Sequence, residues 1–328
     1  EKFARREEGT HAWYDVAYID ESSWPITLVS LNQDLTVIQQ ALSSSGPHGH
    51  RPRWPDVSHD FRDPNLKIGI VSLCAYPAGH VLPRYATSNH EIYASMHGYR
   101  YRVSRIKLDP TRPPAWGKIR MMHSSMVEEP AVDWWLWFDC DTYFMNMSIT
   151  LDSLLYKYGR RKTSHSSSFG ILRPVELDPD FHMLVAEDNA MLNTGAFFMR
   201  ASAWSLDYLS KVWGSEDSVW INHPWWENAA FLWSLLKDNA RKFQAEDHDV
   251  FLTSQGWETD DMEGIYPREV QIAPQWEFNS YHPITAQDQH DAWKPGKFAV
   301  AFNGVLSGVA DSYSMMRVIY GNYYAESC

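Results

Sequence analysis

The sequence predicts an α/β fold: a mixed, mostly parallel sheet of the Rossmann-like type, flanked by helices. Three observations predict it. Between residues 66 and 138 the apolar periodicity switches in the order strand, helix, strand, helix, strand, the pattern of parallel strands joined by covering helices. One of these strands, "WWLWF" (134–138), is a solid apolar run, as a central strand buried on both faces requires. That run ends in "DCD", and in such sheets ligands bind just beyond the carboxyl ends of the strands.

Residues 1–42 carry a helical pattern through Leu28, Leu31, Leu35, Ile38 and Leu42. Residues 43–65 are rich in Ser, Gly, Pro and His and read as a linker or surface wrap. Together, 1–65 form a stem or N-terminal arm, 66–310 the folded domain and 311–328 a C-terminal extension. The domain opens with a strand through Ile68, Ile70, Val71 and Leu73. A helix follows with Tyr85, Asn89, Ile92, Tyr93 and Met96 on one face and Gly98 at its C-cap. "YRYRV" alternates like a strand. "WGKIRMMHSSMVEE" places Ile119, Met122, His123, Met126 and Val127 on one side of a helix. Further on, Met183–Ala186 and Ala196–Met199 are apolar runs, the second entered through "LNTG". Ser202 caps a helix with Leu206, Leu209, Val212 and Trp213 on one face and Gly214 at its end. "NHPWWENAAFLWSLLK" starts another, with Glu227 in its first turn, where the helix dipole favours an acid.

Composition narrows the function. The net charge of −12 over 328 residues argues against nucleic acid as a partner. The 16 Trp and 17 Tyr suit stacking on sugar rings. No run of 18 apolar residues occurs, so nothing here reads as a membrane span. The charged start "EKFARREEGT" holds no signal peptide, and an anchor preceding it is expected. Cys74, Cys140 and Cys328 fit no zinc site and no disulfide framework; Cys74 and Cys140 each follow an apolar run and read as buried thiols. One glycosylation sequon occurs, at Asn146.

The chemistry centres on Asp139 and Asp141. Strand alternation points residues i and i+2 the same way, so both carboxylates face one ligand with Cys140 turned inward. Two close carboxylates repel, and a divalent cation removes the conflict. Hard oxygen ligands suit Mn²⁺ or Mg²⁺, which also bind substrate phosphates. A solvated turn after the strand is the plain alternative. "WFDCDT" also fits the nucleophile motif of haloacid dehalogenase-type phosphatases, with Asp139 phosphorylated and Asp141 the acid. That motif normally lies on a first strand, and no later "GDxxxD" accompanies it.

The segments "HGYRY", "WGKI", "WWLWFDCDTYFMN", "EDNAMLNTGAFFMR", "HPWWENAAF" and "APQWEFNSY", in this order and spacing, resemble the GMA12/MNN10 glycosyltransferases of family 34. The resemblance covers roughly residues 66–304. It implies a GT-A fold and transfer of a sugar, with retention of configuration, from a nucleotide-sugar donor to a glycan or glycoprotein acceptor. It implies that Asp139 and Asp141 hold Mn²⁺, or Mg²⁺ in its place, on the donor diphosphate. Asp188 and Asn193 match positions near the donor sugar, Gly195 allows close backbone approach, and Lys118 is a phosphate contact or a solvated helix lysine. Glu227 falls near the anomeric carbon, as an electrostatic stabiliser or, as the alternative, a nucleophile. Trp225, Trp226 and Trp276 are the acceptor-side candidates. The resemblance also implies the Golgi or secretory-pathway lumen and a single-pass type II protein, with membrane contact only through the N-terminal anchor.

One segment departs from the pattern. The family closes its core with an "HFxGCK"-like segment whose His completes the metal site and whose Lys meets phosphate. Here "VAFNGVLSG" puts Ala301 in place of the His and Leu306 near the Lys position. Asn303, His282 or His290 are the available substitutes. A sugar-binding pseudo-enzyme without turnover is the rival expectation.

Overall fold

The computed structural model describes residues 57–80, 82–159, 176–188, 192–214, 220–245, 266–283, 285–286 and 290–302. The helical pattern over 28–42, Asn303, Leu306, Cys328 and the extension 311–328 lie outside the described residues. Among these residues, no helix is long and apolar enough to cross a membrane.

The main sheet has six strands. In chain order they are β1 (Ile68–Leu73), β2 (Arg100–Ser104), β3 (Trp134–Phe138), β5 (Met183–Glu187), β6 (Leu192–Arg200) and β7 (Val270–Ala273), in spatial order β2-β1-β3-β6-β5-β7. β1 runs parallel to β2 and β3, and β5 parallel to β7; β6 is antiparallel to both of its neighbours. The sheet is thus mixed and mostly parallel, as expected. A second sheet of three short strands, β4 (Thr142–Phe144), β8 (Ser280–Tyr281) and β9 (Ala299–Ala301), in order β4-β9-β8, lies beyond the end of β3.

β3 is central, and all five of its residues are buried. Its alternating side chains feed two cores. Trp135 and Trp137 join Val71, Phe197 and Met199 on one face. Trp134, Leu136 and Phe138 join Ile70 and Phe198 on the other. Each buried indole contributes on the order of 4 kcal/mol of apolar burial. Gly69 makes room for one of them: a Cβ there would lie 2.3 Å from the Trp135 ring.

The helices cover the two faces. α1 (Leu82–His97), α2 (Gly117–Glu128), α3 (Leu151–Tyr158), α4 (Ala203–Trp213) and α5 (Trp226–Ala245) are the longer ones, and α6 (Gln275–Phe278) is a single turn. The expected caps form: Gly98 takes φ +68, Ser202 Oγ accepts from Ser205 N, and Gly214 N donates to Ser210 O. Two expected faces are rotated. On α1 the buried residues include Leu82, Ala86, Asn89, His90 and Tyr93, while Ile92 and Met96 are exposed. Asn89 and His90 turn inward because they bind backbone: Asn89 donates to Phe144 O and accepts from Phe144 N, and His90 Nε2 donates to Thr142 O. On α2 the inward row is Lys118, Met121, Met122 and Ser125, with Ile119 and Met126 beside it; Val127 is exposed and His123 half-buried. The draw on Lys118 is its set of polar partners.

Candidate active site

The chain leaving β3 does not continue as a strand. Thr142 N donates to Asp139 O at 3.1 Å, closing a reverse turn over residues 139–142. This corrects the strand alternation expected for Asp139 and Asp141: the turn, and not the pleat, brings the two acids together. Cys140 is buried as expected, but not as a thiol. Its Sγ is bonded to Cys74, just past the end of β1, with the Cα atoms 5.2 Å apart. The two buried thiols expected from the apolar runs are therefore a disulfide, because the turn carries Cys140 to the exit of the neighbouring strand.

Behind the turn lies a buried polar cluster. Lys118 is 2% exposed. Its Nζ donates to Thr194 O at 2.9 Å and to Thr194 Oγ1 at 3.1 Å. It lies 2.8 Å from Glu227 Oε1 and 3.6 Å from Asp139 Oδ1. The solvated-lysine expectation is overturned, and the three N–H groups are taken up by Thr194 and Glu227 in place of the expected phosphate. Trp137 Nε1 donates to the same Asp139 Oδ1 at 2.7 Å. Thr194 is braced in turn by Asn228 Oδ1, which accepts from Thr194 N at 2.8 Å and from Thr194 Oγ1 at 2.6 Å.

Charge is crowded here. Burial pushes the Asp141 carboxyl up to about 7, and the Asp139 charge adds to the rise. Burial also raises Asp139; Lys118 opposes it and Glu227 reinforces it. Burial pulls Lys118 down, but Asp139 and then Glu227 more than offset it, and it stays above the usual lysine range. The acid pair thus carries a repulsion that a proton or a cation relieves.

A second polar group faces the turn across Gly195. A Cβ on Gly195 would lie 3.0 Å from Asn193 Oδ1, 3.4 Å from Asp139 Oδ2 and 3.6 Å from Asn279 Nδ2, so the glycine lets these three polar atoms close in on the backbone. Asn193 Oδ1 accepts from Gly195 N at 2.8 Å and from Asn279 Nδ2 at 2.9 Å. Its Nδ2 donates to Asp188 Oδ2 at 2.9 Å and meets the Tyr281 hydroxyl, which itself donates to Asp188. Two buried atoms of the site have no hydrogen-bond partner among the described residues, Glu227 Oε2 and Asn279 Oδ1.

The structure therefore gathers Lys118, Asp139, Asp141, Glu227, Asn193, Gly195 and Asp188 at one edge of the sheet. Trp225 is 41% exposed, beside Trp226 at the start of α5. Trp226 takes φ +42, a strained value for a bulky residue. Trp276 already meets cations: the ammonium groups of Lys157 and Lys297 lie 5.7 and 5.6 Å from its ring centroid. Ala301 pairs with Thr142 in β4, beside the acid turn. His282 is buried, with its ring stacked on Phe302 at 5.4 Å. The His290 side chain is 64% exposed, and its Nδ1 lies 3.6 Å from Asp291. Among the described residues no three His, Cys, Asp or Glu side chains gather around a common metal position. Sequence reading missed Thr194, Asn228, Asn279 and Tyr281. The first two adjoin residues it singled out, in "LNTG" and "WWEN"; the others lie in "EFNSY" and carry no periodic signal.

A mixed sheet with an acid turn at the edge of its central strand is the architecture of nucleotide-sugar-dependent transferases of the GT-A type. The solved structure of a glycosyltransferase involved in glycosylation of the major capsid of PBCV-1 shares this fold, with a TM-score of 0.50 over 77% of this chain and 99% of that one, at 17% identity. Residues 72–308 match the galactosyl transferase GMA12/MNN10 family, and the chain belongs to it. A Schizosaccharomyces pombe protein named "Uncharacterized alpha-1,2-galactosyltransferase" is 31% identical over 37% of this chain and 37% of its own length. The Saccharomyces cerevisiae "Probable alpha-1,6-mannosyltransferase MNN10" is 24% identical over 51% of this chain and 46% of its own length. The matches thus span less than half the length of these relatives. The phosphatase alternative loses its footing, since Asp139 follows the third strand of the domain and the family is one of transferases.

Proposed function

We propose that this chain is a retaining glycosyltransferase that moves a sugar from a nucleotide-sugar donor, a UDP-sugar foremost, to a glycan or glycoprotein acceptor. The observation that carries this reading is the half-buried acid pair on the turn after β3, where burial and then the Asp139 charge push Asp141 up to about 7, with the backbone of Gly195 and its ring of polar atoms beside it. The donor set fits Mn²⁺ or Mg²⁺: two carboxylates with room for diphosphate oxygens and water is how such ions are held. Asp139 and Asp141 would hold the ion, which when bound supplies neutralisation of the leaving diphosphate.

The remaining roles belong to the chain itself. Lys118 and Trp137 fix Asp139 Oδ1, which leaves Oδ2 toward the ligand side. Lys118 also fixes Glu227 through Oε1, and in this reading the Glu227 carboxylate stabilises positive charge developing at the anomeric carbon. Asp188, Asn193 and Asn279 form a pre-ordered set of polar side chains that, in this reading, lies beside the hydroxyls of the donor sugar. Exposed Trp225 is the best acceptor platform of the three tryptophans. The Cys74–Cys140 disulfide supports the secretory-pathway lumen.

A donor screen tests the reading. UDP-galactose, UDP-xylose, UDP-glucose and GDP-mannose are each incubated with the protein and simple sugar acceptors, with and without Mn²⁺, and released nucleotide is measured. Metal-dependent release from one donor is the expected result. Ala301 in place of a third ligand favours the pseudo-enzyme as the second reading, and donor binding without release from any pair would establish it.

A further inference from the structure

The two acids flank the one residue of their turn that is covalently tied to another strand. Cys140 stands between Asp139 and Asp141 and is bonded to Cys74. Both half-cystines are buried, in a small cluster with Leu82, Ala86, Tyr143, Met145 and Phe302. The far end is anchored: Cys74 N donates to Ser104 O at 2.7 Å, extending the β1–β2 ladder past the last residue of β1. The other backbone restraints on the turn, among the described residues, are hydrogen bonds. Asp139 N donates to Gly195 O, Thr142 N to Asp139 O, and Phe302 N to Asp141 O.

A reverse turn flexes about its two central residues, here Cys140 and Asp141. With two protein carboxylates on the turn among the described residues, the affinity for a cation depends on how well the pair is aimed beforehand. Mutual repulsion drives the two acids apart whenever no cation lies between them. A covalent tether at the residue between them opposes that drift. The bond spans 66 residues of sequence. The intervening β2, α2 and β3 are already ordered by the main sheet, so the effect of the bond falls on the turn.

We propose that the Cys74–Cys140 disulfide is a positioning device for the metal site, holding Asp139 and Asp141 at the spacing at which both reach one divalent cation. The inference rests on the reading of this pair as metal ligands.

The test is Mn²⁺ binding in the presence of UDP, read from the electron paramagnetic resonance signal of the free ion. It compares native protein with the Cys74→Ala/Cys140→Ala double variant. A Ser202→Ala variant, which loses the N-cap of α4 and not the turn, serves as a control for general destabilisation. Melting temperature is recorded for all three. The expected result is a loss of ~10-fold or more in Mn²⁺ affinity in the double variant, the range seen when groups that orient metal ligands are removed. The Ser202 variant keeps native affinity at a lowered melting temperature. Equal Mn²⁺ affinity in native protein and double variant, whatever the melting temperatures, overturns the positioning role and leaves the bond a staple of the fold. Failure of native protein to bind Mn²⁺ overturns the metal reading itself, and the positioning role with it. If the double variant does not fold, native protein is reduced with a phosphine. Affinity that falls on reduction and returns on reoxidation supports the proposal, and unchanged affinity overturns it.

Discussion

Lys118 is a buried cation between two carboxylates, and its surroundings decide what it does. Its Nζ meets Glu227 Oε1 at 2.8 Å and Asp139 Oδ1 at 3.6 Å, with both Lys118 and Glu227 nearly free of solvent. Removing one member of such a pair strands the other as an uncompensated buried charge. Lys118→Met is therefore expected to destabilise the protein by about 3–5 kcal/mol in urea unfolding at neutral pH, with Glu227→Gln added to it recovering part of the loss. Purely additive single and double variants would contradict the pairing. None of this was legible locally. A lysine in the first turn of an amphipathic helix reads as solvated, and only Glu227 on α5 and Thr194 on β6 reveal why it is buried. Asp139 and Asp141 were legible, because few contexts place two acids directly after a solid apolar run.

At the scale of elements, the sheet follows from side-chain volume as much as from pattern. β1 and β3 pack side by side, and Gly69 leaves the space that the Trp135 indole fills. Gly69→Ala would push a methyl group to 2.3 Å from that ring, far inside contact distance. The expected cost is about 2–3 kcal/mol, read as a lowered urea midpoint; an unchanged midpoint would mean that β1 and β3 do not pack at this register. β1, β2, β3, the apolar runs of β5 and β6, and the ends of α1 and α4 could be read from the sequence, since apolar runs and Gly or Ser caps are local signals; β7 and α3 were not read. The faces of α1 and α2 could not, because Asn89, His90 and Lys118 are buried by partners distant in sequence. Nor could the small sheet, whose strands of two or three residues leave no periodicity, or the turn that replaces alternation at Asp139. The rotated α1 is nonetheless what ties β4, and with it the acid turn, to the main sheet.

For the whole molecule, buried histidines set an acid limit. Burial lowers His90 and His223 from 6.5 to about 4. Each therefore binds a proton in the unfolded chain before it does so in the folded one. Stability from this source is fully present above about pH 6.5, falls as the pH drops toward 4, and levels off below that. Between pH 7.5 and 5 the two together should cost on the order of 4 kcal/mol, at about 1.4 kcal/mol per unit for each group. Asp141, held up to about 7, takes its proton first in the folded chain and offsets part of this loss. Urea unfolding of an Asp141→Asn variant across this range therefore measures it, and stability of that variant independent of pH from 7.5 to 5 would contradict the burial of both imidazoles.

The account depends above all on one cation held by Asp139 and Asp141 against a diphosphate. Calorimetric titration of UDP into the native protein and into Asp141→Ala, with and without Mn²⁺, tests it most directly. The predicted result is UDP binding at least ~10-fold tighter with Mn²⁺ in the native protein, a gain of about 1.4 kcal/mol, and no Mn²⁺ effect in Asp141→Ala. UDP affinity indifferent to Mn²⁺ in the native protein, or a Mn²⁺ effect that survives in the variant, would contradict it.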